Sequence, residues 1–182
     1  DTPGMSYTVN RMLLGEIVGN AQINFDNVRV SDEQRLGQVG RATGNAFGAA
    51  KTMVFIDWLG HIRRVYEQIV AYAKERKGGG VPIIQHSSIA AMLGDVALHI
   101  DATRAFAYRV SWENDQLEKA GKPMVDWTHN GVNYWVGKTS LLCCEVGFEV
   151  YAGMGGSLDL ELEALVRRTF TWPQKNKTIH AI

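Results

Sequence analysis

Several classes are excluded by what this 182-residue chain lacks. It has two cysteines, Cys143 and Cys144, and they are neighbours. A disulfide framework is therefore excluded, and a reducing, cytoplasmic setting is expected. Neither charge is in excess: 19 lysines and arginines balance 19 aspartates and glutamates. That argues against nucleic acid held by bulk charge. No apolar run approaches the roughly 18–20 residues of a membrane span, so no membrane partner is expected. A charged start followed by an apolar core, the mark of a secretory leader, is not visible. Hydrophobic residues make up 46% and charged ones 21%, which excludes disorder of the whole chain. The chain opens at Asp1 in what reads as mid-domain sequence, and it is expected to be a piece of something longer.

What is present divides by period. Residues 1–39 read as β structure, with a turn at Thr2-Pro3-Gly4. Around Ile17–Val30, Ala21, Ile23 and Phe25 alternate with Asn20, Gln22 and Asn24, the pattern of a half-buried strand. Asp26-Asn27 interrupts it, Val28 and Val30 resume it, and Gly37 and Gly40 close the segment. From about Thr43 the period becomes helical. Phe47, Ala50, Val54, Trp58, Ile62, Val65, Ile69 and Ala73 fall on one stripe, with Arg63, Arg64, Glu67, Gln68 and Lys74 mostly opposite. This helix is expected to reach about Arg76, where Gly78-Gly79-Gly80 ends it and Pro82 starts the next. A second helix is expected over about Ile83–Ala120, a break at Gly121-Lys122-Pro123, and a third helix over about Val125–Tyr151. A glycine-rich loop at Ala152–Ser157 then leads to a shorter helix over about Leu160–Phe170. Long helices joined by short breaks must oppose one another to bury their stripes. The expected fold is mainly α, an antiparallel up-down four-helix bundle with a short N-terminal β segment. A coiled-coil rod is disfavoured because no strict heptad is sustained.

Several motifs occur in a telling order. Phe25-Asp26-Asn27-Val28-Arg29-Val30, then Leu36-Gly37, resembles the F-D-N-V-R-V-P…L-G that ends the β-domain of acyl-CoA dehydrogenases, with Ser31 in place of proline. Gly60 through Tyr72-Ala73-Lys74-Glu75-Arg76 to Gly80 is similar to the family's G…E-x-A-x-x-Y-A-x-x-R-x-x-F-G. Gly121-Lys122-Pro123 matches the loop before the third bundle helix. Glu149-Val150-Tyr151-Ala152-Gly153-Met154-Gly155 resembles Q-I-x-G-G-x-G, and Leu162 to Thr169 resembles E-R-L-Y-R-D-A. Each motif is weak alone; their order and spacing over essentially the whole chain carry the resemblance. It implies that 1–40 is a remnant of the middle β-domain and 41–182 the C-terminal helical bundle.

The resemblance also implies a chemistry for the whole protein: α,β-oxidation of an acyl-CoA, with a carboxylate removing the α-proton and FAD taking the hydride. The usual base positions fall on Asn176 and Ala50. Asn176 carries an amide that takes no proton at neutral pH, Ala50 has no functional group, and no Asp or Glu follows Glu163. No catalytic residue is therefore assigned. Asp57 is a substitute base only if the C-terminal text has drifted; otherwise it is a solvated or bundle-satisfying carboxylate. Lys51 stands where a substrate-side arginine is common. The flavin contacts implied are Arg76, Gly78, Gly79, Glu149, Gly153, Gly155 and Thr178. Arg76 would reach the FAD of a neighbouring subunit, a planar cation suited to a pyrophosphate, although it also suits the last turn of a helix. Gly79 replaces the phenylalanine of x-F-G, so an aromatic near the flavin is lost. Gly153 and Gly155 would let backbone approach phosphates, or simply turn the chain. Glu149 replaces glutamine and would repel a pyrophosphate.

The partners implied are an acyl-CoA substrate, a second copy of the chain in a dimer or tetramer, or a paired subunit, and an electron-transfer flavoprotein. The isolated chain is expected to bind no FAD and to be inactive. Three alternatives accompany this reading: a non-catalytic subunit of a heteromeric dehydrogenase, a flavin-dependent oxidase or monooxygenase on the same scaffold, and a plain helical interaction module. Asp95 and His99, one turn apart, read as a hydrogen-bonded surface pair rather than metal ligands. Cys143-Cys144 reads as small buried residues, and the five tryptophans as packing for the bundle or an oligomer face.

Overall fold

The computed structural model describes residues 2–11, 13, 20–35, 42–122 and 126–171, with 42–55, 126–130 and 171 as backbone only. It is mainly helical and forms two compact units, residues 1–50 and 51–182.

In the first unit, β1 (Met5–Asn10) pairs antiparallel with β2 (Asn20–Phe25), Met5 opposite Phe25 and Asn10 opposite Asn20. The Thr2–Gly4 turn is present: the Met5 N–H donates to the Thr2 carbonyl (3.1 Å) and the Asp26 N–H to that of Gly4 (2.8 Å). Gly4 has φ +85°, and a Cβ there would lie 2.2 Å from the Asp26 oxygen, so the turn requires glycine. The register collects Met5, Tyr7, Val9, Ala21, Ile23 and Phe25 on one face and Ser6, Thr8, Asn10, Asn20, Gln22 and Asn24 on the other. The expected half-buried strand is corrected in two respects. It ends at Phe25, with Val28 and Val30 outside it, and its apolar face is exposed, Phe25 at 67%. Two strands cannot bury a face by themselves. A 3₁₀ turn at Asp32–Gln34 follows, opened by the Ser31 N–H donating to Gln34 Oε1 (3.2 Å). Gly37 and Gly40 lie outside the described residues.

α1 (Ala42–Glu75) begins in the first unit and continues into the second. Its expected stripe is buried at Trp58, Ile62, Val65, Ile69 and Ala73, with Leu59 beside them; the side chains of Phe47, Ala50 and Val54 lie outside the description. α1 ends at Glu75, within a residue of the expected end at about Arg76. The role expected of Gly78–Gly80 is corrected: rather than ending the helix, they turn a short hairpin, β3 (Lys77–Gly78) against β4 (Val81–Pro82), with Gly79 and Gly80 at φ +62° and +89°. A 3₁₀ turn at Ile83–Gln85 then delays α2, which runs Ser87–Lys119 rather than from Ile83. Its buried line is Leu93, Val96, Ile100, Thr103, Ala107, Val110 and Asn114, alternating steps of three and four. This seam keeps heptad spacing, but two of its members, Thr103 and Asn114, are polar, so no strict apolar heptad is sustained. Gly121, at φ +66°, closes α2 as expected, with the Lys122 N–H donating to the Leu117 carbonyl (2.9 Å).

α3 (Asp126–Tyr151) and α4 (Glu161–Thr171) match their expected spans to within a residue. The segment between them, expected as a loop, contains a 3₁₀ turn at Ala152–Gly156. Side-chain pairings fix directions. Gly147 meets Leu162 while Ser140 Oγ hydrogen-bonds Thr169 Oγ1 (2.5 Å), so α4 opposes α3. Ile62 meets Cys143 and Tyr72 meets Tyr151, so α1 runs with α3. Arg64 donates to both carboxylate oxygens of Glu161 (2.6 and 2.9 Å) and Arg168 pairs with Asp57 at 3.7 Å, placing α4 against α1. Asp57 is a solvated carboxylate, 76% exposed. Thr103 and Thr139 share a buried hydrogen bond of 2.8 Å between α2 and α3. Trp58 packs in the core, whereas Trp112 and Trp135 face outward.

Ala152 carries φ +52°, a left-handed conformation that an L side chain adopts at a cost of about 1–2 kcal/mol. The motif it sits in has glycine there. Ala152→Gly is therefore expected to raise unfolding stability by about 1 kcal/mol, read as a shifted urea midpoint at constant slope.

Candidate functional site

One cleft of about 650 Å³ gathers four of the seven flavin contacts that the resemblance implies. The end of α1 gives it Tyr72 and Arg76, the hairpin Lys77 and Gly78, and the following turn and start of α2 Ile83, His86, Ser88 and Ile89. The end of α3 and the turn after it give Glu149 to Met154. Its volume lies in the range of cofactor and small-molecule sites.

Local structure explains each position. The Arg76 N–H donates to the Tyr72 carbonyl (2.8 Å) and its own carbonyl accepts from Ile83 (2.8 Å), so α1 and the hairpin are locked together at the residue bearing the guanidinium. Tyr72 and Tyr151 stack obliquely, centroids 4.7 Å apart, and the Tyr72 hydroxyl donates to Met154 Sδ (3.9 Å). Burial pushes the Tyr151 phenol above its ordinary pKa. Gly153 has open space where a Cβ would stand, on the cleft wall. Arg76, Lys77 and the positive end of the α2 dipole favour an anion. Glu149, in the last turn of α3, and the negative dipole ends of α1 and α3 oppose it. The cations and the aromatic side chains fit a phosphate-bearing ligand with an aromatic part, weakened by that carboxylate and those two helix ends.

Arg76, Gly78, Glu149 and Gly153 thus come together. Gly79 lies in the hairpin turn and does not line the cleft, with His86 Cε1 3.7 Å from where its Cβ would be. Gly155 is buried, and a Cβ there would be 2.8 Å from Phe148 Cδ1, so its missing side chain serves packing. Thr178 and Asn176 lie outside the described residues. Ala50 and Lys51 are described as α1 backbone, and 25 residues of helix, about 38 Å, separate Lys51 from Arg76. Lys77, His86, Tyr72 and Tyr151 line the cleft without having been assigned. Tyr72 and Tyr151 stood inside quoted motifs; His86 had no local signal. His99 Nδ1 sits 3.0 Å from the Asp95 carbonyl oxygen and 3.3 Å from its carboxylate, a surface pair.

The cysteines lie away from the cleft lining, at the crossing of α1, α3 and α4. Burial raises their thiols to about 12 for Cys143 and about 11 for Cys144. The unfolded thiols ionise near 9.0, so this contribution to stability is intact below that pH and is lost as pH rises toward the folded values. At pH 8 neither thiol of the folded protein is expected to react with iodoacetamide, and both to react in urea; mass spectrometry reads the difference.

The model of the acyl-CoA dehydrogenase C-terminal domain matches residues 40–171. The chain is 24% identical to (R)-benzylsuccinyl-CoA dehydrogenase of Thauera aromatica, covering 94% of this chain and 42% of that protein. It is 25% identical to the caffeyl-CoA reductase-Etf complex subunit CarC of Acetobacterium woodii, covering 92% and 45%. The solved structure of PigA with FAD and proline superposes with a TM-score of 0.80 at 21% identity, covering 99% of this chain and 48% of that one. The chain spans less than half the length of these relatives. The matched domain and the shared fold place this chain in the acyl-CoA dehydrogenase family.

Proposed function

We propose that the chain is the C-terminal region of an FAD-dependent, acyl-CoA dehydrogenase-like flavoprotein of the cytoplasm. Residues 1–40 belong to its middle β-domain, and the cleft at the ends of α1 and α3 contacts the flavin of a neighbouring subunit. A single observation carries this reading. Arg76, Gly78, Glu149 and Gly153, assigned from two motifs some seventy residues apart, line one cleft. PigA, a structure of the same fold, holds FAD. When bound, FAD accepts the hydride of the acyl thioester. Arg76 and Lys77 would hold its diphosphate, Gly153 would leave room for it, and the oligomer would exclude water from it. Acyl-CoA is the substrate class, and an electron-transfer flavoprotein the acceptor; the Acetobacterium relative is a subunit of a caffeyl-CoA reductase-Etf complex.

The test uses the full-length protein. It is expected to purify with flavin absorbance, and Arg76→Ala to lose most of it while remaining folded. A colourless wild-type protein that takes up no added FAD would sink the proposal. The 182-residue chain alone is expected to stay colourless.

A further inference from the structure

Two polar clasps join α4 to α1, one at each end of the shorter helix. At its start, Arg64 donates to both carboxylate oxygens of Glu161. At its last turn, Arg168 meets two side chains that stand four residues apart on α1. Its Nη1 lies 3.5 Å from His61 Nδ1 and 3.7 Å from Asp57 Oδ2. A guanidinium has donors and no acceptor, so the His61 nitrogen that faces it must offer a lone pair. The imidazole of this clasp is therefore neutral. His61 is half-buried. Among the described residues, the charged groups that face it are Asp57 and Arg64 from α1 and Arg168 and Glu161 from α4. Burial, then the Arg168 charge, hold its pKa below the ordinary 6.5 and outweigh the two carboxylates.

We propose that the second clasp is an acid-sensitive latch: a protonated His61 repels Arg168, takes the Asp57 carboxylate for itself and frees the C-terminal end of α4. Residues four apart on a helix are neighbours, so an imidazolium at 61 and a carboxylate at 57 can pair without moving α1. The first clasp does not follow. Arg64 holds Glu161 below the ordinary carboxylate range, so that pair stays ionised at mildly acid pH. Buried Leu162 and Leu165 keep the rest of the helix seated. The end that is freed is the one from which the chain continues into residues 172–182. The sign follows from the lowered pKa. Once released, His61 titrates at its ordinary 6.5 and binds a proton more tightly than when clasped. The latch is intact above that pH and weakens as pH falls below it.

The experiment follows amide exchange in the full-length protein by mass spectrometry at pH 7.5 and pH 5.5, each corrected for the intrinsic rate. Protection of the last turn of α4 is expected to fall about three- to tenfold at the lower pH, the size of one net hydrogen bond. The start of α4 and the buried turns of α1 should keep theirs. His61→Gln offers Arg168 an acceptor that does not titrate, and its protection should be the same at both pH values. Arg168→Gln removes the charge that a protonated His61 would meet, and should also be flat. Melting temperatures show that the variants are folded. Unchanged protection in wild type overturns the proposal. So does a fall that persists in His61→Gln, or one shared equally by all four helices. Should His61→Gln fail to fold, Arg168→Gln decides in its place, and a fall that persists there overturns the latch.

Discussion

Leu162→Ala is expected to lower the unfolding free energy by about 2–5 kcal/mol, the usual cost of emptying a fully buried leucine site. Leu162 is 1% exposed at the crossing of α4 with α3 and α1. Its partner across the crossing has no side chain: a Cβ on Gly147 would lie 2.8 and 3.0 Å from the two Leu162 methyls and 3.1 Å from Ile69 Cδ1. Glycine in mid-helix costs about 1 kcal/mol relative to alanine, so its presence here needs a reason, and the close approach of three helices supplies it. Gly147→Ala should regain that helix preference but overpack the crossing by about 1–3 kcal/mol, with a net loss. The double variant is the sharper test. The methyl at 147 partly fills the space that Leu162→Ala opens, so the combined loss should fall short of the sum by about 1 kcal/mol. Urea melts of the four proteins give the cycle; strict additivity would mean that the two sites do not touch.

The spans of the long helices were legible from breaks such as Gly121-Lys122-Pro123 after α2, and α1 also from its 3.6-residue stripe. The seam of α2 was not, because apolar periodicity cannot register Thr103 and Asn114, whose burial depends on partners such as Thr139 on another helix. The hairpin at 77–82 has two residues per strand, too few for a period of two to emerge, and a glycine triplet reads equally well as a helix stop. β1 alternates Met, Tyr and Val with Ser, Thr and Asn, a period of two that sequence alone carries. At the candidate site, Arg76, Gly78, Glu149 and Gly153 were found through motifs. His86 and Lys77 were not, because His86 reaches the cleft through the turn before α2 and Lys77 through a hairpin that sequence did not reveal. Gly155 shows a packing demand that sequence cannot reveal. A glycine in a phosphate-like motif serves here to admit Phe148.

Giving the full-length protein a carboxylate at position 50 is expected to raise acyl-CoA-dependent flavin reduction by about 10²- to 10⁴-fold, the range for a positioned general base. The α-proton of a thioester is only weakly acidic, so hydride transfer to a flavin waits on its removal. Of the two positions at which the family resemblance implies a base, one holds an amide and the other a methyl, and no acidic residue follows Glu163. Ala50 is the better place to restore it. The α1 backbone is helical there, a rigid element tolerates glutamate well, and a site on a helix holds its geometry more closely than one on a loop. Stopped-flow reduction by a panel of acyl-CoAs, comparing wild type, Ala50→Glu and Asn176→Glu, reads the gain. If wild type already matches both variants, another group takes the proton. Asp57 is then the first to test: it lies two turns beyond position 50 on α1, 3.7 Å from Arg168, and Asp57→Asn would abolish the rate. If no variant gains and wild type is inert, the missing carboxylate is not what silences the site, and the scaffold has passed to chemistry that removes no α-proton.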